Sequence, residues 1–519
     1  MTFEASYDYI IVGAGAAGCV LANRLSADPT VRVLLLEAGG PDDDPEIEKL
    51  PVTSLMSLWR PELDWGIATE PDPGLNGRQM PIIQGRVLGG GSSNNGRIYI
   101  RGNRRDYDHW SHLGNEGWAY EDVLPYFKKL EDYEGGETEY HGAGGPVHII
   151  NLPDPTPAAK TFIEAAQEVG FKGMPWDFNA EQQEGAAAFT QSTTTKDGKR
   201  ASTAVCYIRP ILDRPNFTLM TRVNATRVIM QGTKAVGIEY VTDADSTATS
   251  GVTLHQVEAT REVILSAGPF QSPKLLLLSG IGPAEQLKSF DIPVVIDLPG
   301  VGENLQDHVL ARVCYTTTVP QHIPSIICEA SLFTYTRPNM GAASPDLQFF
   351  FGGFLFPDLG TTEPGFTMCP VVTQAQSVGN VKLRSADPLD NPIVRMNYLS
   401  SDVDMKVLLY GIQLAQEIIH TKAFDSMRGK ELIPGPEGKD EASLRNYIRN
   451  TCITDWHPSC SCKMGYDLMA VVDPKLRVHG AENLRVIDSS IMPFITNCNL
   501  NSTVIMIGEK GADMVLAAQ

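Results

Sequence analysis

The chain has 519 residues, 42% of them hydrophobic and 20% charged, enough to bury large cores and too long for a single one, since single cores stop growing near roughly 250 to 300 residues. Its 62 acidic against 42 basic side chains leave a formal charge of −20, which opposes nucleic acid and anionic lipid as partners. No run approaches the roughly 20 apolar residues that span a bilayer, no basic region precedes the first apolar stretch, and the nine cysteines follow no repeating spacing. These features predict a two-domain cytoplasmic protein with free thiols.

Residues 7–18 read YDYIIVGAGAAG, a strand that ends in a glycine-rich turn and opens into a stretch with helical periodicity from Cys19 to Leu25. Gly13 allows the tight turn, Gly15 lets a pyrophosphate approach the backbone, and Gly18 lets the helix pack on the strand. The helix start adds free N–H groups and a positive dipole end. A second strand, 31–36, ends at Glu37, placed to hold the ribose hydroxyls of an adenosine. The pair predicts a dinucleotide site rather than a glycine loop that only packs.

Residues 85–96, GRVLGGGSSNNG, are small enough for a ligand ring to lie on backbone N–H groups. Helices are predicted over 120–131, 158–169, 404–419 and 499–516, and strands over 147–150, 262–266, 347–351 and 484–488. The prolines at 153, 155 and 157 read as a stiff domain crossing. Residues 217–241 alternate as strands do, and 192–200 read as a polar loop.

Further along stand GPFQSPKLLLLSGIG (268–282), VGENLQDH (301–308), HPSCSCKMG (457–465), LRVIDSSIMP (484–493) and NLNSTVIMIGEKGAD (499–513). With the two glycine segments, in this order, they resemble the signature motifs of the glucose-methanol-choline flavin oxidoreductases. The resemblance covers the chain from residue 7 to residue 513. It implies an α/β fold: a discontinuous Rossmann-like FAD-binding domain (1–152, 196–304 and 454–519) and an α+β substrate domain built on an antiparallel sheet (153–195 and 305–453). Carried over residue by residue, Gly13, Ala14, Gly15 and Gly18 form the phosphate turn and Glu37 holds the ribose. Gly90, Ser92, Asn94, Asn95 and Gly96 line the flavin, Val223 meets the adenine, and Asp488, Asn499, Ser502 and Thr503 close over the cofactor. Some members attach FAD through a histidine where this chain has Asn94, which implies non-covalent FAD here.

His457 then becomes the base that takes the hydroxyl proton of an alcohol, and Asn501 the amide that holds its oxygen, with helix N-cap as the alternative role for Asn501. The resemblance implies oxidation of a primary alcohol to an aldehyde by hydride transfer to flavin N5. Glu329, Trp456 and Phe351 are candidate substrate contacts: Glu329 for a cationic head, Trp456 for a cation–π face, and Phe351 with its neighbouring phenylalanines for an apolar body. The C-x-C pair Cys460 and Cys462 lacks a partner pair at ligand spacing, so no metal is expected. The expected partners are a small alcohol and an electron acceptor, dioxygen or another, with a homodimer left open. The rivals are a quinone-linked alcohol or choline dehydrogenase and, because the family includes them, a FAD-containing hydroxynitrile lyase.

Overall fold

A computed structural model describes residues 3–49, 52–243, 253–338 and 340–518. Its first sheet has seven strands, in the order Phe217–Met220, Val33–Leu36, Ala5–Val12, His255–Leu265, Lys234–Thr242 and Val223–Gln231, with Leu484–Val486 also paired to His255–Leu265. Phe217–Met220, Val33–Leu36, Ala5–Val12, His255–Leu265 and Leu484–Val486 run parallel, whereas the pairings along Lys234–Thr242 are antiparallel. Val33–Leu36 is buried along its whole length, as expected of a parallel strand covered on both faces. The 262–266 expectation thus captured only the end of a longer strand, the part that pairs with Leu484–Val486.

The second sheet has eight strands. Its main path is Arg428–Ile433, Val313–Thr317, Gly365–Val372, Leu347–Gly352, Ala330–Thr334 and Ala187–Phe189, all antiparallel. Two helices pack against this sheet, Pro157–Glu168 and Asp402–Ile419, and their apolar faces share one core with it. Pro157 is the first residue of its helix rather than part of a linker: Thr156 caps the helix by accepting from the Ala159 N–H at 3.3 Å. A small third sheet joins Ile98–Tyr99, Gln191–Thr193, Val147–Asn151 and Glu131–Tyr133, so residues 191–193 are a strand and not part of a polar loop.

The C-terminal helix, Leu500–Leu516, lies on the first helix, Ala16–Leu25. Gly508 makes the approach close, since a Cβ there would stand 3.0 Å from the Val20 Cβ. Arg24 clamps the pair through two bonds to the buried Glu509 carboxylate, at 2.9 and 2.6 Å. This contact carries the start of the last helix back to the first turn of the chain.

The third sheet carries a buried ionic cluster. The fully buried Glu131 accepts from Tyr99, Arg101 and His141, and His141 bonds Asp177 at 2.8 Å. Burial opposes ionisation of Glu131, but Arg101 and His141 outweigh it and hold its pKa down to about 2. A carboxyl held below its unfolded value stabilises the fold above that value and loses the contribution as pH falls through its folded one. Urea midpoints should therefore fall between pH 4.5 and 2, with Glu131 contributing on the order of 3 kcal/mol. Glu131→Gln should start less stable at neutral pH and show a shallower decline.

Candidate active site

One cavity of about 310 Å³ runs from the first glycine turn to His457. At one end Gly13 has φ +100°, and a Cβ there would sit 2.5 Å from the Ser266 carbonyl oxygen, so only glycine fits. A Cβ on Gly18 would lie 1.9 Å from the Gly13 carbonyl oxygen, which explains the close helix–strand packing at that position. Glu37, at the end of Val33–Leu36, accepts from the Ala14 N–H at 2.8 Å and the Gly39 N–H at 2.7 Å. Burial pushes its carboxyl up to about 7 despite these two bonds. The second glycine segment folds across the first: a Cβ on Gly90 would stand 2.8 Å from the Gly15 Cα.

At the other end His457 follows Trp456, whose φ of +57° is uncommon for a bulky side chain. The strained turn sets the histidine on the cavity wall beside Trp456. His457 Nε2 lies 3.3 Å from the Asn499 amide Nδ2, which is a donor, so Nε2 is an acceptor. On the opposite side of the ring, Nδ1 meets His308 Nδ1 at 3.0 Å and Asp455 Oδ2 at 3.2 Å. The His457 N–H donates to Asp307 Oδ1 at 2.8 Å. Asp307 is itself held by Tyr398 and Thr454, and burial pushes it up to about 6. His308 is fully buried, and burial followed by the His457 charge drives its pKa well down, which keeps it neutral.

Most of the expected site residues meet at this cavity. Gly13, Gly15, Glu37, Gly90, Ser92, Asn94, Asn95, Gly96, Val223, Trp456, His457, Asp488, Asn499 and Asn501 line it. Ala14 and Gly18 shape the turn from behind it. Ser502 and Thr503 do not line it: they bond the Ile100 carbonyl and the Tyr107 hydroxyl, both at 2.8 Å, and anchor the last helix. The helix cap falls on Asn499, not on Asn501, which stands in the first helical turn. The amide in contact with His457 is therefore that of Asn499.

Two substrate contacts are corrected by the structure. Glu329 is fully buried away from the cavity and takes three donors, the Thr156 N–H and hydroxyl and the Gly353 N–H, at 2.7 to 2.8 Å. Those bonds tie the helix start at Thr156 to the sheet and leave it no cation to meet. Phe351 points into the core, where it stacks on Phe162 at 4.7 Å. Strand alternation turns Phe350 to the opposite face, and that ring lines the cavity with Phe354, Phe356, Trp59 and Trp65. Glu329→Ala should therefore cost about 3 kcal/mol by stranding its buried donors. Thermal unfolding checks that loss, and the ratio of KM values for cationic and neutral alcohols should stay as in the parent.

The residues missed from sequence are Asp307, His308 and Asp455. Asp307 and His308 end the VGENLQDH segment, so a signal was present; Asp455 offered none beyond its place two residues before His457. Among the described residues, His308, Asp455 and His457 bring three ligand-type atoms within 4.8 Å of one another. A hydrogen bond of 3.0 Å joins the two rings through their Nδ1 atoms. All nine cysteines are free. Cys460 is fully buried and its thiol is pushed up to about 12, so it is inert beside the histidine segment.

Two family models described as GMC oxidoreductase match residues 7–310 and 375–508. The chain belongs to the GMC oxidoreductase family. It is 40% identical to the mitochondrial choline dehydrogenase of Mus musculus, over 98% of this chain and 89% of that one. It is also 40% identical to an oxygen-dependent choline dehydrogenase of Pseudomonas savastanoi pv. phaseolicola, over 100% and 95%. Among solved structures, pyridoxine 4-oxidase from Mesorbium loti superposes with a TM-score of 0.89 at 30% identity, over 98% of both chains. A variant formate oxidase from Aspergillus oryzae gives 0.90 at 26% identity, over 100% and 99%.

As a GMC oxidoreductase the chain uses FAD and acts on CH–OH donors. The cavity fits that cofactor: glycines stand where a Cβ would close the cradle, and the buried Asn94 Nδ2 and Asn499 Oδ1, on cavity-lining residues, lack partners within the protein. Among the described residues no helix is long and apolar enough to cross a membrane.

Proposed function

We propose that this GMC oxidoreductase converts a primary alcohol to its aldehyde, with His457 as the base and the amide of Asn501 holding the alcohol oxygen. The observation that carries the reading is His457 Nε2, an acceptor on the wall of the same cavity that begins at the Gly13 turn. FAD, when bound, would supply the two-electron acceptor for the hydride of the alcohol carbon. The alcohol hydroxyl displaces the Asn499 N–H from Nε2, the O–H bond breaks toward Nε2, and the proton ends on the imidazole. The Asn501 side chain, in the first turn of the last helix, can donate to the oxygen as its charge develops. Glu37, Val223 and the Gly13 turn would take the adenosine and pyrophosphate end, and Gly90 to Gly96 with Asp488 the flavin end.

Asn94 has no ring nitrogen to bond the flavin, which supports non-covalent FAD. Acid precipitation should leave the yellow cofactor in the supernatant. The two principal sheets support a division into a FAD-binding and a substrate domain, and the pairing of Gln191–Thr193 with Val147–Asn151 favours a crossing back near 190 over the expected 195. The aromatic wall supports an alcohol with an aromatic or aliphatic body, and the choline dehydrogenase relatives place choline in the same trial.

Anaerobic mixing of the holoenzyme with choline, benzylic, furanic, sugar and aliphatic alcohols tests the reading. Flavin bleaching with one aldehyde formed per flavin is the expected result. Cyanohydrin cleavage by a protein that stays yellow would replace the reading with lyase activity. Peroxide formed under air then separates dioxygen from another acceptor.

A further inference from the structure

Asp455 is an unexpected group at the catalytic end of the cavity. It is 7% exposed and lines the cavity beside Leu310, Cys369 and Ile453. Its Oδ2 has no hydrogen-bond partner, yet it stands 3.2 Å from His457 Nδ1. The backbone holds it there, since the Asp455 N–H donates to the His308 carbonyl at 2.9 Å. A buried carboxylate oxygen without a donor is costly, and the group positioned to balance Oδ2 is the ring of His457.

The bonds around His457 fix its protons. Asn499 donates to Nε2, so the neutral ring carries its proton on Nδ1. That N–H points to His308 Nδ1, an acceptor on a ring kept neutral by burial. Asp455 lies off this line, and in the resting state it contributes field rather than a bond. The arrangement changes once Nε2 has taken the alcohol proton: the ring is then a cation, and Asp455 is the anion nearest to it.

We propose that Asp455 is a positioning residue that pairs with the imidazolium form of His457 and so sets the basicity of the catalytic base. The proposal rests on His457 being that base. The other titratable groups facing the ring are His308, which stays neutral, and Asp307, whose oxygens are taken by Tyr398, Thr454 and the His457 and His308 N–H groups. Asp455 is thus the carboxylate with unspent capacity. Burial pushes the Asp455 carboxyl up, and the charge of His457 opposes that shift.

The rate of flavin reduction requires the neutral ring, so it rises with pH through the pKa of the base. Loss of a neighbouring anion disfavours the imidazolium and moves that rise to lower pH, by at least about one pH unit. The test compares anaerobic flavin reduction from pH 5 to 10 in the wild type, Asp455→Asn, Asp455→Glu and His457→Ala, each with its flavin content measured. Asp455→Asn should shift the acid limb down and lower the plateau, and Asp455→Glu should restore part of both. A second readout is independent of turnover. In 15N-histidine-labelled holoenzyme, the resonance missing from His457→Ala should titrate at lower pH in Asp455→Asn.

An unmoved limb and an unmoved resonance in Asp455→Asn, with His457→Ala inactive, would overturn the proposal and leave the base assignment standing. Near-normal reduction in His457→Ala would overturn the base assignment and the proposal with it. A uniform loss of rate in Asp455→Asn at every pH, with no shift, would reduce Asp455 to a packing role.

Discussion

His457→Ala should lower the rate of anaerobic flavin reduction by about two orders of magnitude or more while leaving the flavin content of the purified protein unchanged. The alcohol proton needs an acceptor as the carbon becomes carbonyl, and Nε2 is the acceptor that the histidine segment presents to the cavity. Among the described residues the groups beside the ring do not face Nε2: Asp455 stands at Nδ1, on the other side of the ring. His308 is buried behind the ring with its pKa driven down, and Asp307 is enclosed by its own hydrogen bonds. Stopped-flow absorbance with a saturating alcohol gives the rate directly. Reduction within a few-fold of wild type would remove His457 from the chemistry.

Gly90→Ala should damage the other end of the cavity. Gly90 sits at φ 52°, ψ −135°, a region that L side chains rarely enter. Its added Cβ would press on the backbone Cα of Gly15 at 2.8 Å, with no flexible side chain to yield. Relief requires the two glycine segments to separate, which opens the cradle between them. FAD affinity should weaken by at least about tenfold, or 1.4 kcal/mol, and the protein should purify with a lowered ratio of visible to ultraviolet absorbance. Full flavin occupancy with an unchanged dissociation constant would show that the two segments do not form one cradle.

The cofactor end was the more legible part of the sequence because its determinants are local. A strand, a glycine turn and a helix follow one another within residues 7–25, and each glycine has a steric reason that depends on near neighbours. The catalytic end depends on pairings that no spacing reveals. His308 and His457 are 149 residues apart and meet only when the Val309–Leu310 and Ile453–Thr454 strands pair. Asn499 and Asn501 differ by two positions, and which of them reaches the histidine is decided by where Arg24 and Glu509 dock the last helix.

Side-chain direction explains the two corrected contacts. Phe350 and Phe351 have the same composition and the same strand, and only the pairing with Gly365–Val372 decides which faces the cavity. Glu329 carries the right charge for a cationic substrate, but the Thr156 and Gly353 donors claim it. A carboxylate's availability depends on its neighbours, and those come from segments far along the chain.

The central claim is that an alcohol carbon gives up a hydride in this cavity while its oxygen gives up a proton to His457. The most direct measurement is anaerobic flavin bleaching with an active alcohol and with the same alcohol deuterated at the reacting carbon. The account predicts bleaching with both, clearly slower with the deuterated alcohol, and aldehyde equal to the flavin reduced. Alcohol consumption with the flavin still oxidised, or equal bleaching rates for the two alcohols in a step shown to be chemical, would contradict it.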